Sequence, residues 1–313
     1  METMIETEGL TKSFGKENEI LAVDLLTLQV AAGEVFGFVG PNGAGKTTTM
    51  KMLIGLLEPS SGSGRVAGFD IVREVIRIRE VTGVLPEPAG YYDNLTARQN
   101  LRFYGKLYDI EEKQREERVV ELLKLVGLGH AIDQKIGGFS TGMLKRFGLA
   151  QALINEPSIL FLDEPTSGID PLGAQEMRDL VRDLSRERGV TVFLSSHSMT
   201  EVEEICDRIG VISRGRLIAV GTVEELRDRV REREGVRYLL EVSDLPASEV
   251  ALALEQIGSV HSVEVSDDGI RLLADKGARM EIAEVVKRSG GAVTRFEEER
   301  MDLQRVFLRL IGA

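Results

Sequence analysis

The most informative segment of the chain is Gly40-Pro41-Asn42-Gly43-Ala44-Gly45-Lys46-Thr47, followed by Thr48. It matches the pattern GxxxxGK[ST], in which glycines let successive backbone N–H groups turn toward phosphate groups. An apolar run at 35–39 precedes the segment, and a helical pattern over about 45–56 follows it. This strand–loop–helix context predicts a phosphate-binding P-loop. We expect Lys46 to reach the β- and γ-phosphates and the Thr47 hydroxyl to bind Mg²⁺.

A second buried run ends in two carboxylates. Residues 159–162 are entirely apolar, and Asp163 and Glu164 follow them. We predict that Asp163 holds Mg²⁺ from the end of this strand. Glu164 faces another direction, and it is the candidate general base that polarises the attacking water. Taken alone, the two carboxylates are equally consistent with a strand that simply ends at a charged turn. With the P-loop upstream, they predict a P-loop NTPase.

The composition is that of a globular protein with room for one large and one smaller domain. The 313 residues are 42% hydrophobic and 29% charged, and the formal net charge is -12. Nucleic-acid binding depends on Lys and Arg that neutralise phosphates, so we expect no nucleic-acid partner. No run of about 18 consecutive apolar residues occurs, and the acidic start lacks the apolar part of a signal peptide. With a single cysteine, Cys206, these features predict a cytoplasmic protein.

Strands and helices alternate in much of the chain. The predicted strands are 4–9, 20–30, 35–39, 159–162, 190–194 and 209–213, and the predicted helices are about 45–56, 171–188 and 199–206. Short apolar runs of this kind are typical of strands buried on both faces of a parallel sheet. The alternation predicts a layered α/β core with right-handed crossovers.

The stretch from about 90 to 155 has helical patterns and no convincing strand. Helices are predicted near 96–107, 112–126 and 141–154. Thr96 and Gln99 form a capping-box pattern at the first of them. We therefore predict an all-helical subdomain inserted in the α/β core.

A charge run over 227–234 marks a predicted boundary between a domain of 1–226 and an accessory domain of 227–313. We expect the run to be the solvated end of a helix. The predicted elements after it are strand 236–243, helix 247–257, strand 260–266, strand 269–274, helix 278–289 and strand 292–297. This β-α-β-β-α-β order predicts a small α+β domain with the ferredoxin-like arrangement. An amphipathic helix over about 301–311 follows.

The segment Phe139-Ser140-Thr141-Gly142-Met143 lies between the P-loop and the strand of Asp163. It resembles the signature of the ATP-binding-cassette (ABC) family, commonly Leu-Ser-Gly-Gly-Gln. Ser140 and Gly142 match, and the other three residues differ. Ser140 is a good N-cap, and the helix that it opens would direct N–H groups and dipole at an anion. A Ser-x-Gly sequence before a helix is usually only a helix cap. The resemblance to the signature therefore depends on its position between the P-loop and the strand of Asp163.

Three more residues match positions of the same family. Phe14 corresponds to the aromatic residue that stacks on adenine, and Asp170 lies in a segment that resembles the D-loop. His197 corresponds to the switch histidine that contacts the γ-phosphate. The resemblance implies that Phe14, the P-loop, residues 140–142 and Asp170 bind ATP. It also implies that Lys46 and His197 take part in its hydrolysis with Glu164.

Glu87 stands where the family's Q-loop usually has glutamine. A glutamate can still bind Mg²⁺ or orient water, and it adds a negative charge near the phosphates. We therefore count Glu87 as a candidate catalytic and metal-binding residue. Leu-Pro-Glu, followed by an aromatic residue and Leu-Thr, resembles one branch of the family, the ATPase subunits of bacterial and archaeal exporters of the daunorubicin-resistance type. The extra C-terminal domain also looks like that branch.

The resemblance implies a RecA-like mixed sheet with N-terminal antiparallel strands. It further implies an ATP-binding and ATP-hydrolysing subunit that drives a separate integral membrane permease, as part of an exporter. Two subunits, expected to be a homodimer, would pack head to tail, with each ATP between one P-loop and the other subunit's signature. Through the permease, the protein would lie on the inner face of the cell membrane.

Two alternatives stay open at this point. The first is an ABC ATPase that acts on ribosomes or DNA. Such proteins usually carry two cassettes, a coiled-coil insertion or zinc-binding cysteines, whereas this chain has one P-loop and one cysteine. The second concerns the C-terminal domain, which is either a ligand-sensing module or an extra surface for dimer contact or partner docking. The ferredoxin-like arrangement does not decide between them, because it carries many functions.

Overall fold

The computed structural model describes residues 2–15, 19–87, 90–266, 268–299 and 301–312. The chain divides into two compact units, Met1–Thr222 and Val223–Ala313. The division falls slightly before the predicted one at 226/227, because the helix that carries the charge run begins at Val223.

The first unit contains ten strands among its described residues. They are β1 (Thr3–Phe14), β2 (Ile20–Ala31), β3 (Val35–Val39), β4 (Ser61–Val66), β5 (Phe69–Asp70), β6 (Thr82–Leu85), β7 (Ile159–Asp163), β8 (Thr191–Ser196), β9 (Arg208–Ser213) and β10 (Arg216–Gly221). Its α-helices are α1 (Lys46–Leu53), α2 (Val75–Val81), α3 (Ala97–Leu107), α4 (Glu112–Leu125), α5 (Thr141–Ala152), α6 (Pro171–Arg188) and α7 (Met199–Ile205). Two short 3₁₀ helices, Gly129–Ala131 and Ile136–Gly138, lie between α4 and α5.

These strands form two sheets. An antiparallel sheet has the order β2-β1-β4-β5, and a six-stranded sheet has the order β10-β9-β3-β8-β7-β6. The five strands from β9 to β6 are parallel to their neighbours, and β10 pairs antiparallel with β9. The predicted mixed sheet and the antiparallel strands near the N-terminus are confirmed.

Aromatic side chains fill the centre of the mixed sheet. Phe193 packs against Phe36, Phe38 and Phe161, with ring centroids 5.7, 5.4 and 5.6 Å apart. Every residue of β3, β7 and β8 is buried, as the apolar runs predict. This packing fixes the carboxyl ends of three neighbouring strands, where ligand sites of parallel sheets usually lie.

The helical subdomain is confirmed as α3, α4 and α5, which lie between β6 and β7 in the sequence and pack on one another. The Thr96 hydroxyl accepts from the Gln99 backbone N–H, and the Gln99 side chain accepts from the Thr96 N–H. The predicted capping box is therefore present, and it satisfies two donors that the helix start would otherwise leave open.

The second unit has the ferredoxin-like order. Its elements are α8 (Val223–Glu234), β11 (Val236–Ser243), α9 (Ala247–Leu254), β12 (Val260–Ser266), β13 (Gly269–Ala274), α10 (Arg279–Arg288), β14 (Ala292–Glu298) and α11 (Leu303–Ile311). The antiparallel sheet has the order β12-β13-β11-β14. Leu240 and Ile270 of the sheet and Leu254 and Ile282 of the helices share one buried core.

The charge run forms the end of α8, as expected, and Arg229, Glu232 and Arg233 are exposed. Arg227 departs from the expectation, because it is only 2% exposed. Its guanidinium donates to the Met301 carbonyl at 2.9 Å and pairs with Glu224. The reason is tertiary, since α8 packs against α11 and shields this part of the run.

Candidate nucleotide-binding and hydrolysis site

The P-loop connects β3 to α1 through positions that admit only glycine. Gly45 is the N-cap of α1 with φ 108°, and a Cβ there would lie 2.4 Å from the Ala22 carbonyl oxygen. A Cβ on Gly40 would lie 2.3 Å from the Ile212 carbonyl oxygen. Neighbouring backbone thus occupies the space of a side chain at both positions. No side chain caps α1, so its first N–H groups suit an anion.

A cleft of about 270 Å³ lies over this loop. It is lined by Ala22, Asn42, Gly43, Ala44, Gly45, Lys46, Thr47, Thr48, Glu87, Asp163 and Glu164. The structure therefore brings most of the predicted P-loop residues together with the predicted carboxylates. Ala22 comes from β2, so the antiparallel sheet contributes one wall.

Lys46 lies among oxygen atoms in this cleft. Its Nζ donates to the Gly40 carbonyl at 2.7 Å and lies 4.0 Å from Glu164 Oε1. Burial lowers the pKa of Lys46, and the negative charges of Glu164 and Asp163 oppose that shift. The ammonium is thus held at the loop, where phosphate oxygens would be close enough to bind it.

Asp163 is held by two hydroxyl groups. Thr47 Oγ1 donates to Asp163 Oδ2 at 3.1 Å, and the Ser195 hydroxyl donates to the other carboxylate oxygen. A hydroxyl beside a carboxylate is the oxygen donor set that Mg²⁺ takes together with phosphates and water. In the part of the chain that the structure describes, no group of three or more His, Cys, Asp or Glu could hold a metal. The Thr47 hydroxyl and the Asp163 carboxylate, which line the same cleft as the P-loop, fit a cation shared with a nucleotide.

Ser195 was not among the predicted site residues. It lies in β8, two residues before His197. The only signal in the sequence is its closeness to the histidine.

Glu164 and His197 face each other. Glu164 Oε2 lies 2.8 Å from His197 Nδ1, and the Glu164 backbone N–H donates to the Ser195 carbonyl at 3.0 Å. Glu164 has φ 49°, in the left-handed region, where a non-glycine residue is strained by about 1–3 kcal/mol. Such strain persists where the surroundings fix the residue, and it is common at functional sites.

Glu87 lines the cleft, but its carboxylate is paired. It accepts from Lys145 Nζ, and the same Nζ donates to the Glu164 carbonyl at 2.9 Å. Lys145 was not among the predicted site residues. It lies in α5, 58 positions from Glu87, so only the tertiary fold brings the two together.

Comparisons with known proteins agree with this geometry. A protein-family model described as ABC transporter matches residues 23–167. The bacitracin transport ATP-binding protein BcrA of Bacillus licheniformis is 37% identical, over 100% of this chain and 98% of that protein. The chain belongs to the ABC transporter family.

Two further relatives support the assignment. The linearmycin resistance ATP-binding protein LnrL of Bacillus subtilis is 34% identical over 99% of this chain and 98% of its own length. The structure of cbiO1 from Clostridium perfringens, described as part of the ABC transporter complex cbiONQ, has 28% sequence identity and a TM-score of 0.66. It covers 74% of this chain and 94% of that one. The chain is thus an ATP-binding subunit of an ABC transporter and an ATPase, and the ribosome or DNA alternative is not favoured.

The segment that resembles the family signature, residues 139–143, does not line this cleft. Ser140, Thr141 and Gly142 are not among the residues that line the cleft over the P-loop. The Ser140 hydroxyl accepts from the Met143 N–H at 3.3 Å and so caps α5, as predicted. A Cβ on Gly142 would lie 3.3 Å from the side chain of Ile169, the residue before Asp170, which places Gly142 against the segment that resembles the D-loop.

Asp170 and Phe14 also lie outside the cleft lining. The Asp170 carboxylate caps α6 by accepting from the Gly173 N–H at 3.0 Å, and this bond lowers the pKa of Asp170. Phe14 ends β1, pairs with Ile20 of β2 and is 39% exposed. Lys12 Nζ lies 5.3 Å from the centre of the Phe14 ring. The partly exposed ring thus lies at the end of the strand that pairs with β2, which provides Ala22.

No helix in the described ranges combines the length and the apolar character that crossing a membrane would need.

Proposed function

We propose that this chain hydrolyses ATP as one half of a head-to-tail homodimer. The observation that carries the proposal is that only one of the two helix starts expected to face phosphates lines the cleft. The start of α1 lies in the cleft with Glu164, whereas the start of α5, with its signature residues 140–142, lies outside the cleft lining. A second copy can place its α5 start opposite this cleft. A symmetric pair then contains two equivalent sites.

Within each site, the side chains have separate tasks. Lys46 and the first N–H groups of α1 bind the phosphates. Glu164 accepts the proton of the attacking water, and His197 holds the Glu164 carboxylate through its Nδ1. Mg²⁺ that enters with the nucleotide supplies positive charge to the phosphate oxygens, and Thr47 and Asp163 would hold it.

The proposal includes a separate membrane permease. A cleft of about 660 Å³ in the first unit is lined in part by Leu56, Leu107 and Tyr108, which are 61%, 63% and 42% exposed. Neighbouring exposed apolar side chains mark interaction surfaces. We assign this cleft to a cytoplasmic segment of the permease, which would hold the protein at the inner face of the cell membrane. The cleft extends to Pro86, next to Glu87, so docking there reaches the hydrolysis site.

The direction of transport is inferred from the names of the relatives. One is named for bacitracin transport and another for linearmycin resistance, and both match the chain along nearly its whole length. We therefore assign this subunit to an exporter of antibiotic-type compounds. Purification from solubilised membranes tests the partner: a co-purifying permease supports the assignment, and ribosomes or DNA in its place would contradict it.

The homodimer is tested by dilution of the purified full-length chain. Because each site needs two subunits, the ATPase rate should rise faster than linearly with protein concentration until the dimer is saturated. Light scattering at each concentration provides the fraction of dimer for comparison. A strictly linear rate in a range where scattering detects only monomer would refute the shared site.

A further inference from the structure

Lys145 lies where three parts of the hydrolysis site meet. It belongs to α5, the helix that Ser140 caps, and it is 8% exposed. Its Nζ donates to the Glu87 carboxylate and, at 2.9 Å, to the backbone carbonyl of Glu164. One buried amine therefore connects the signature helix, the Glu87 loop and the residue that carries the general base.

The charges around Lys145 explain how a glutamate is accommodated at position 87. Burial lowers the pKa of Lys145, and the negative charges of Asp163, Glu164 and Glu201 act in the opposite direction. A buried ammonium is costly unless carboxylates compensate it. Glu87 is the carboxylate in direct contact, so the two charges offset each other at the edge of the cleft that takes the triphosphate.

A second contact holds the same loop against α5. The Tyr91 hydroxyl donates to the Leu144 carbonyl at 3.0 Å, one residue before Lys145. A Cβ on Gly148 would lie 2.4 Å from both the Tyr91 hydroxyl oxygen and the Leu85 side chain. The segments on either side of Glu87 therefore pack tightly on the signature helix, and a displacement of that helix would carry them with it.

We propose that Lys145 is a positioning residue for ATP hydrolysis, whose charge offsets Glu87 beside the phosphates and whose hydrogen bond fixes the backbone of Glu164. The inference rests on the proposed function, because it assigns a role within the same cleft. The proposal assigns two separate effects to Lys145: its charge acts on nucleotide affinity, and its hydrogen bond acts on turnover. If Lys145 served only for packing, neither the affinity nor the turnover would depend on its charge or its hydrogen bond.

The test is a double-mutant cycle in the full-length chain. Lys145→Met leaves Glu87 uncompensated, so the KM and the equilibrium Kd for ATP should both rise about tenfold, and kcat should fall about tenfold. Adding Glu87→Gln removes the uncompensated charge. The double variant should recover the Kd to within about threefold of wild type, while its kcat stays low because the Glu164 carbonyl still lacks its donor.

Two further variants keep the proposal falsifiable if Lys145→Met does not fold. Lys145→Arg keeps the charge and the donors, so its KM should stay within about threefold of wild type. Glu87→Gln leaves Lys145 uncompensated beside the phosphates, so its Kd for ATP should fall by about threefold. Lys124→Gln is the matched control, because this lysine is exposed in α4 of the same subdomain, and its constants should equal those of wild type.

Two results would overturn the role of Lys145. The first is a double variant, Lys145→Met with Glu87→Gln, whose Kd for ATP is as weak as that of Lys145→Met alone. The second is a Glu87→Gln single variant whose Kd for ATP equals that of wild type. Neither result touches the proposed function, which fails if the wild-type ATPase rate stays strictly linear in the range where scattering detects only monomer. The two failures are therefore distinguishable, because one is read from the variants and the other from dilution of the wild-type chain.

Discussion

Replacing Glu164 by glutamine should stop hydrolysis and leave the fold and nucleotide binding intact. The amide has nearly the shape of the carboxylate, and His197 Nδ1, 2.8 Å away, can donate to its oxygen. The backbone N–H of residue 164 still donates to the Ser195 carbonyl at 3.0 Å. The property lost is proton acceptance, which contributes about 10²- to 10⁴-fold to the rate. This corresponds to about 3–5 kcal/mol in the activation free energy.

The same substitution changes the charge of the cleft in a direction that favours ATP. Glu164 Oε1 lies 4.0 Å from Lys46 Nζ, and its negative charge would repel a triphosphate bound there. At this separation near a protein surface, Glu164 offsets the positive charge of Lys46 by up to about 4 kcal/mol, and a glutamine would leave that charge available to the phosphates. Glu164→Gln should therefore bind ATP at least as tightly as wild type.

The assay combines steady-state hydrolysis with equilibrium binding of ATP, and Glu284→Gln, at an exposed position of α10, is the matched control. We expect kcat to fall at least about a hundredfold, with Kd no more than about threefold weaker than that of wild type. A kcat within about fivefold of wild type would refute the role of Glu164 as general base. A loss of ATP binding together with activity would refute the account of the cleft charges.

Three other substitutions test the surroundings of the cleft. Ser195→Ala removes the hydroxyl that holds Asp163, so kcat should fall about tenfold with an unchanged melting temperature. Gly83→Ala places a Cβ 1.9 Å from the Ala152 carbonyl oxygen, which should reduce the free energy of unfolding by about 1–3 kcal/mol in denaturant titrations. Burial raises the pKa of Glu201, so the folded state binds the proton of this carboxyl more tightly than the unfolded state does. The stability that this proton contributes is fully present below the unfolded pKa and is lost as the pH rises through the folded pKa. Glu201→Gln should therefore raise the melting temperature relative to wild type more at about pH 8 than at about pH 5.

Each of these three expectations has a contradicting result. A wild-type rate in Ser195→Ala would show that Thr47 alone orients Asp163. An unchanged unfolding free energy in Gly83→Ala would show that α5 can move away from β6 without loss. A difference in melting temperature between Glu201→Gln and wild type that is equal at both pH values would show that the buried carboxyl does not titrate in this range.

The elements that the sequence predicted well are those with local causes. The P-loop residues, the buried strand that ends at Asp163 and the Thr96–Gln99 capping box each follow from side chains within a few positions of one another. In contrast, β4 was missed because its Ser-Gly-Ser-Gly-Arg-Val sequence has little apolar alternation, and its pairing with β1 holds it in place.

Long-range contacts explain what else the sequence could not supply. Lys145 meets Glu87 and Glu164 only because the helical subdomain packs beside β6 and β7. Arg227 is buried because α11 covers it, although its neighbours are charged. The left-handed backbone of Glu164 is likewise set by its bond to the Ser195 carbonyl on the next strand. Neither the composition nor the periodicity of the sequence predicts these contacts.

The head-to-tail ATPase is tested most directly by mixing two inactive variants. Lys46→Ala disables the P-loop, and Ser140→Arg places a bulky charge at the signature, so neither homodimer should hydrolyse ATP. In a mixed dimer, the intact P-loop of one subunit faces the intact signature of the other. An equal mixture should therefore recover about a quarter of the wild-type rate, because about half of the dimers are mixed and each has one intact site. A mixture no more active than its two components would contradict the shared site.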